Sequence, residues 1–202
     1  MLKHLLFITV FVLSFVLAGQ TQDILQNIKT SKDARTFIQQ HPESKAELFS
    51  FNSCVDTSAI SRLLLEHNNR EIVTHENARY KILEESNKQC FRASYIYFDG
   101  SRMKLKQIDS LRASLLERIE NGEDFGKLAN QYTMDGNPNE GDLGFFEEGS
   151  TVKDFESAVR EHKTGDIFKV DIPSLSWYYI VKKTHDDVMG RSIIVIKIRG
   201  NN

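Results

Sequence analysis

Three prolines, two cysteines and one tryptophan are all this 202-residue chain contains of those types, with eleven glycines. So little proline and glycine excludes collagen-like and linker-dominated chains. Two cysteines cannot make a disulfide-dense miniature scaffold. No excess of basic charge is present: 26 Lys and Arg stand against 28 Asp and Glu, a net of −2. A chain without a basic stripe cannot neutralise a run of phosphates, so nucleic acid is excluded as the main partner. Beyond the first eighteen residues no apolar run approaches the length of a membrane span. What remains is a chain with 40% apolar and 27% charged residues, the composition of one or two folded domains rather than a disordered chain.

The single long apolar run is at the start. Lys3 and His4 precede Leu5 to Leu17, and Val16-Leu17-Ala18 fits a small-residue cleavage site. Residues 1–18 read as a secretory signal peptide, too short for a comfortable span and not followed by a lipid-accepting cysteine. The mature chain is therefore expected to be exported and without a membrane span. Outside the cytosol Cys54 and Cys90 can pair; a bridge would close a loop of roughly 37 residues and contribute on the order of 3–4 kcal/mol. Two buried thiols are the alternative.

Residues 19–87 read as a helix-rich module. Ser31 to Gln40 has Ala34, Phe37 and Ile38 on one face and stops at His41-Pro42. Leu48, Phe49 and Phe51 suggest a short extended piece. A second helix starts near Asp56 or Thr57 and carries Ile60, Leu63 and Leu64. Glu71–Thr74 and Arg79–Glu84 read as two strands. From Phe91 the pattern sharpens. Phe91–Phe98 is a β-rich run ending at Asp99-Gly100. A long helix with Leu111, Leu115, Leu116 and Ile119 on its apolar stripe ends at Asn121-Gly122. A shorter helix runs from Asp124 to Tyr132, then a glycine-rich loop from Asp135 to Gly144, then a helix from Val152 to His162. Ile167–Ile172 and Trp177–Lys183 are a strand pair, and Arg191–Arg199 a last apolar strand.

Five fragments in this order resemble the parvulin family of peptidyl-prolyl cis-trans isomerases. They are Arg92-Ala93-Ser94-Tyr95-Ile96, Gly122 to Ala129 (GEDFGKLA), Gly141 to Phe146 with Phe155-Glu156-Ser157-Ala158, Gly165-Asp166-Ile167, and Tyr178 to Lys182. The resemblance covers about half the chain. It implies an α+β fold, a parvulin-like mixed sheet flanked by helices over residues 88–187. The histidines usual in the family's first and last strands are replaced here by Tyr95 and Tyr179. The family position that holds a cysteine or aspartate matches Asp135. Its apolar pocket positions match Leu143 and Phe155, and a third, often methionine, falls on Thr151. The resemblance thus implies Asp135, Tyr95 and Tyr179 as catalytic groups and Leu143, Thr151 and Phe155 as a substrate cup.

Rotation about an X-Pro bond must break amide resonance, a barrier near 20 kcal/mol, but makes and cuts no bond. No nucleophile and no cofactor are required. An apolar cup for the proline ring and a charge near the rotating carbonyl suffice. Tyrosines can exchange hydrogen bonds as histidines would, without titrating near neutral pH. Each residue also has a plainer reading: Leu143 and Phe155 as core, Asp135 as a turn residue, the tyrosines as strand packing. Arg102, Lys104 and Lys106, where phosphate-reading members carry a basic cluster, read as a solvated helix start. His67, His75, His162 and His185 lack metal-ligand spacing.

The N-terminal half echoes the parvulin-like half. Shifted by roughly 91 to 95 residues, its helix, helix, strand, strand order repeats, lacking only the opening strand. Residues 188–202 are therefore expected either to complete a degenerate parvulin-like module over 19–87 or to extend the edge of the parvulin sheet. The expected activity is an exported, periplasmic isomerase acting on unfolded, proline-containing polypeptides. Its rivals are a non-catalytic chaperone that binds extended chain and a structural subunit of an envelope complex.

Overall fold

The computed structural model describes residues 24–199. The signal-peptide reading of residues 1–18 lies outside them. The described residues divide into two compact units, residues 24–86 with 191–199, and residues 87–190.

In the first unit a helical turn over residues 24–27 precedes helix α1, Ser31–Gln40. Its N-cap is Thr30. The Thr30 hydroxyl accepts from the Asp33 N–H at 3.1 Å, and the Asp33 carboxylate accepts from the Thr30 N–H at 3.0 Å. This reciprocal box satisfies two amides that the first turn would leave unpaired. Strand β1 is Glu47–Asn52, helix α2 is Ala59–Leu65 capped by Ser58, and strand β2 is Ile72–His75. Strand β3, Ala78–Asp99, is 22 residues long. The strands expected at Arg79–Glu84 and Phe91–Phe98 are thus one. The intervening polar run, Glu84 to Gln89, holds neither glycine nor proline to break it. The division between the units falls inside this strand.

The last strand, β7 (Val188–Arg199), pairs antiparallel with β1, from Glu47↔Lys197 to Asn52↔Ser192, and lies between β1 and β3. Residues alternate in direction along a strand, so β3 and β7 each feed two cores. Ile82, Ile193 and Val195 pack with Leu64, Val73 and Tyr80; Leu83 and Ile196 pack with Leu25, Ile28 and Ala34.

In the second unit β3 is followed by α3 (Leu105–Glu120), α4 (Phe125–Tyr132), β4 (Asp142–Glu147), α5 (Lys153–Glu161), β5 (Ile167–Ile172) and β6 (Trp177–Lys183). The strand order is β4-β3-β6-β5. The pairs β3–β4, β3–β6 and β5–β6 are antiparallel, where a mixed sheet is expected from sequence. One face carries Ile96, Phe98, Tyr178 and Ile180 against Ile108 and Leu115 of α3 and Phe125, Leu128 and Ala129 of α4. The other carries Phe91, Ala93, Val170 and Val181 against Phe155 and Val159 of α5. Odd-numbered residues of β3 and β6 share this second face. That parity places Tyr95, Tyr97, Trp177 and Tyr179 together. Arg112, on the apolar side of α3, is 1% exposed and pairs with Asp171 and Asp109. A stripe of hydrophobic positions alone does not reveal this buried charge.

The expectation of paired cysteines meets one observation: no cysteine among the described residues is free.

Candidate functional site

The loop after α4 positions the acidic group. Thr133 ends the helix, and its hydroxyl accepts from the Tyr97 N–H at 3.2 Å. The Met134 N–H donates to the Tyr97 carbonyl at 2.9 Å. These bonds lay the loop along β3, so that Asp135 arrives over Tyr95. The Tyr95 hydroxyl donates to Asp135 Oδ2 at 2.6 Å. Asp135 Oδ1 accepts from the Thr133 hydroxyl at 2.7 Å and from the Asn137 N–H at 3.2 Å.

Further along, Gly141 closes the same loop against the strand. Its φ is +74°, and an added Cβ would lie 2.3 Å from the Tyr95 carbonyl oxygen and 2.9 Å from Ala129 Cβ. Only glycine permits both the left-handed turn and the approach. In exchange the Gly141 carbonyl accepts from the Tyr95 N–H at 2.9 Å.

Beneath Asp135 the rings meet edge to face. Tyr95 and Tyr179 have centroids 5.9 Å apart at 80°, and Tyr95 and Phe155 6.4 Å apart at 88°. Phe155 and Tyr179 are 5.3 Å apart at 65°. Such arrangements set the positive ring edge against the negative face. The remaining wall comes from the β4–α5 segment. The buried Glu156 carboxylate accepts from the Gly149 N–H at 2.7 Å and is bridged by Arg160, which fixes the turn that presents Thr151 and Val152.

The result is a cleft of about 640 Å³. All six residues expected from sequence line it: Asp135, Tyr95, Tyr179, Leu143, Thr151 and Phe155. Phe155 is 6% exposed and forms the floor, whereas Leu143, at 37%, stands on the rim. The Thr151 hydroxyl is buried and makes no hydrogen bond in the structure. Sequence reasoning missed Tyr97, Ser150, Val152 and Trp177. Alternation could have found two of these. Tyr97 lies two residues from Tyr95 and directly across from Tyr179, and Trp177 two residues from Tyr179. Arg102, Lys104 and Lys106 are exposed and do not line the cleft.

The electrostatics follow the geometry. Burial is the largest single influence on Asp135 and raises its pKa, but the bonds from Tyr95, Thr133 and Asn137 together hold it below the ordinary carboxylate value. Asp135 is therefore an anion at neutral pH. Burial, then the hydrogen bond to Asp135 and its charge, push Tyr95 up to about 12. Burial raises Tyr179 as well, with Tyr97, Tyr95 and Asp135 adding to it. Both phenols stay neutral across the physiological range. No histidine lines the cleft. Among the described residues no three His, Cys, Asp or Glu side chains are grouped to hold a metal ion.

The family model described as PPIC-type PPIASE domain matches residues 59–187. Foldase protein PrsA of Geobacillus kaustophilus is 30% identical over 123 residues, 57% of this chain and 43% of that protein. Foldase protein PrsA of Halalkalibacterium halodurans is 25% identical over 187 residues, 81% of this chain and 56% of that protein. The chain spans about half the length of these curated relatives. Among solved structures, the parvulin NmPin of Nitrosopumilus maritimus is 28% identical, covering 48% of this chain and 97% of that one at a TM-score of 0.39.

Proposed function

Because this chain belongs to the PPIC-type peptidyl-prolyl cis-trans isomerase family, we propose that it acts as a foldase on X-Pro bonds of unfolded polypeptides, through the cleft built on Tyr95, Asp135 and Phe155. One observation carries the reading: an anionic carboxylate is hydrogen-bonded at 2.6 Å to a neutral phenol above an aromatic floor.

In this reading the proline ring seats against Phe155 and Leu143. Its desolvation there favours binding without favouring either isomer. The twisted amide has lost resonance, so its nitrogen regains a lone pair and its carbonyl oxygen sheds negative charge. A fixed anion near that oxygen disfavours the planar, more polar ground state relative to the twisted one. Asp135 supplies the anion. Tyr95 holds it in place and, being neutral, does not cancel its charge. The Thr151 hydroxyl, unpartnered in the structure, donates to or accepts from the bound backbone.

The apolar run at the start of the sequence supports export, and with it action outside the cytosol; the periplasm is the compartment that the family resemblance implies. Clients are then chains that have just crossed the membrane and are still unfolded. The name foldase, carried by the relatives, accords with this.

Exchange NMR on short X-Pro peptides tests the proposal, with Asp135→Ala measured alongside. Accelerated cis-trans exchange that drops in the variant is the expected result. No acceleration by folded protein across the panel would overturn it and leave a module that only holds extended chain.

A further inference from the structure

The first unit has a concavity of about 610 Å³ lined by Gln26, Lys29, Arg70, Ile72 and Lys81. Three of its five lining residues are cations. None of the three forms an ion pair among the described residues. Lys81 is 5% exposed, and its ammonium donates to the carbonyls of Leu25 at 2.6 Å and Gln26 at 3.1 Å. An ammonium has three donors, and two are used. Buried charges are ordinarily neutralised by a partner of opposite sign, and here the nearby charges share its sign.

Arg70 adds an independent observation. Its φ is +72°, a left-handed backbone that a long side chain rarely adopts. The strained position is pinned by the Arg70 N–H donating to the Ile82 carbonyl at 2.8 Å, one residue from Lys81. Strain of this kind persists where the surroundings over-determine it, and it concentrates at ligand sites. Here it sets an unpaired guanidinium on the wall of the same concavity.

We propose that this concavity is an oxyanion site, in which a carboxylate or phosphate group is held by Lys81 from below and by Arg70 and Lys29 from the rim. The common chemistry is a compact anion with several acceptor oxygens. It would use the spare Lys81 donor, and the Arg70 fork matches such a group in two places. Two sources fit, a free phosphate or the C-terminal carboxylate of a peptide. The site is independent of the isomerase cleft and of its assignment.

The test titrates the purified protein with inorganic phosphate at constant ionic strength, and separately with one peptide bearing a free C-terminus and its amidated twin. Binding is read from amide NMR shifts of residues 70–82 and from the rise in Tm. Two variants accompany it. Lys81→Met keeps the apolar stem and removes the charge. Arg70→Gly removes the guanidinium and relieves the left-handed backbone, so its fold is retained. Saturable binding, weakened by at least about tenfold in both variants, is expected, the loss of one charge-assisted bond. Binding of phosphate alone assigns a free-phosphate site. Binding of the free-carboxylate peptide but not its amide assigns a chain-terminus site. A response equal in the wild type and Arg70→Gly, or no saturable response to either probe, overturns the proposal and leaves Lys81 as a cap on the carbonyls of residues 25 and 26.

Discussion

At Asp135 one carboxylate gathers three donors from a hydroxyl on β3, a helix-terminal threonine and a loop amide. Its depressed pKa and the raised pKa of Tyr95 fix the pH behaviour of the cleft. Between roughly pH 5 and 9 no lining group changes charge, so catalysed exchange should be flat there. It should fall only as pH drops into the carboxylate range and Asp135 gains a proton. A bell centred near neutrality would remove Asp135 and Tyr95 from the central role. For Asp135→Ala, kcat/KM should drop by about 10- to 100-fold, with peptide affinity little changed. Stability has its own signature. The folded state holds the Tyr95 proton longer than the unfolded chain does. The contribution from that difference is complete below the ordinary tyrosine pKa of 10.0 and is lost as pH rises toward about 12. Melting temperature against pH, followed beside phenolate absorbance, should show this loss on the alkaline side, and Tyr95→Phe should reduce it, leaving the part that the raised Tyr179 and Tyr97 contribute.

Elements bring these residues together through two devices. One is strand parity, which aligns Tyr95 and Tyr97 of β3 with Trp177 and Tyr179 of β6 on a single face. The positions Tyr95 and Tyr179 were legible through the family resemblance; their neighbours two residues away were open to strand alternation but went unread. They carry no family signature, and only the register Tyr97↔Tyr179 shows that they meet. The other device is the loop from Met134 to Gly141, anchored at both ends to β3. Gly141→Ala should cost on the order of 2–4 kcal/mol, because the added methyl meets backbone at 2.3 Å and the φ is positive. The same substitution should loosen the Tyr95–Asp135 bond and lower activity at temperatures where the protein is still folded. Denaturant melts with an activity assay check both. Wild-type stability in Gly141→Ala would mean that the loop approaches the strand less closely than described.

Over the whole molecule, one unit is built from both ends of the chain. Ile193, Val195 and Ile196 of β7 are fully buried with residues contributed by the N-terminal half. Burying each contributes about 1.5–3 kcal/mol, and deleting the strand would also leave β1 without the neighbour it pairs with. Together these losses are comparable to the entire stability of a small domain. Truncation after Gly190 should therefore abolish the cooperative melting of the first unit, seen as collapsed amide dispersion for residues 47–52 and 72–83. Preserved dispersion there would show that β7 is dispensable. A second prediction concerns the cysteines. Thiol titration of unreduced, denatured protein should find no reactive thiol, since neither Cys54 nor Cys90 is free.

Local chemistry was readable directly from the order of residues. The helix start at Asp124, the ends at Asn121-Gly122 and His41-Pro42, the alternation of Ile167–Ile172, and the fragments around Gly141 to Phe146 all depend on neighbours a few positions apart, whereas the helix expected from Asp56 or Thr57 begins after its cap at Ser58. Those spacings set the helices and most strand limits, and the family resemblance that the fragments carry implied the six cleft residues. Three features required the folded chain. Arg79–Glu84 and Phe91–Phe98 became one strand because ladder partners hold a polar run extended where intrinsic preference is weak. Arg112 became a buried charge because Asp171, 59 residues away, arrives to pair with it. Lys81, Arg70 and Lys29 became one cationic concavity because the β2–β3 pairing and the first helical turn converge on it. Each depends on contacts between residues distant in sequence, whose energies no local window contains.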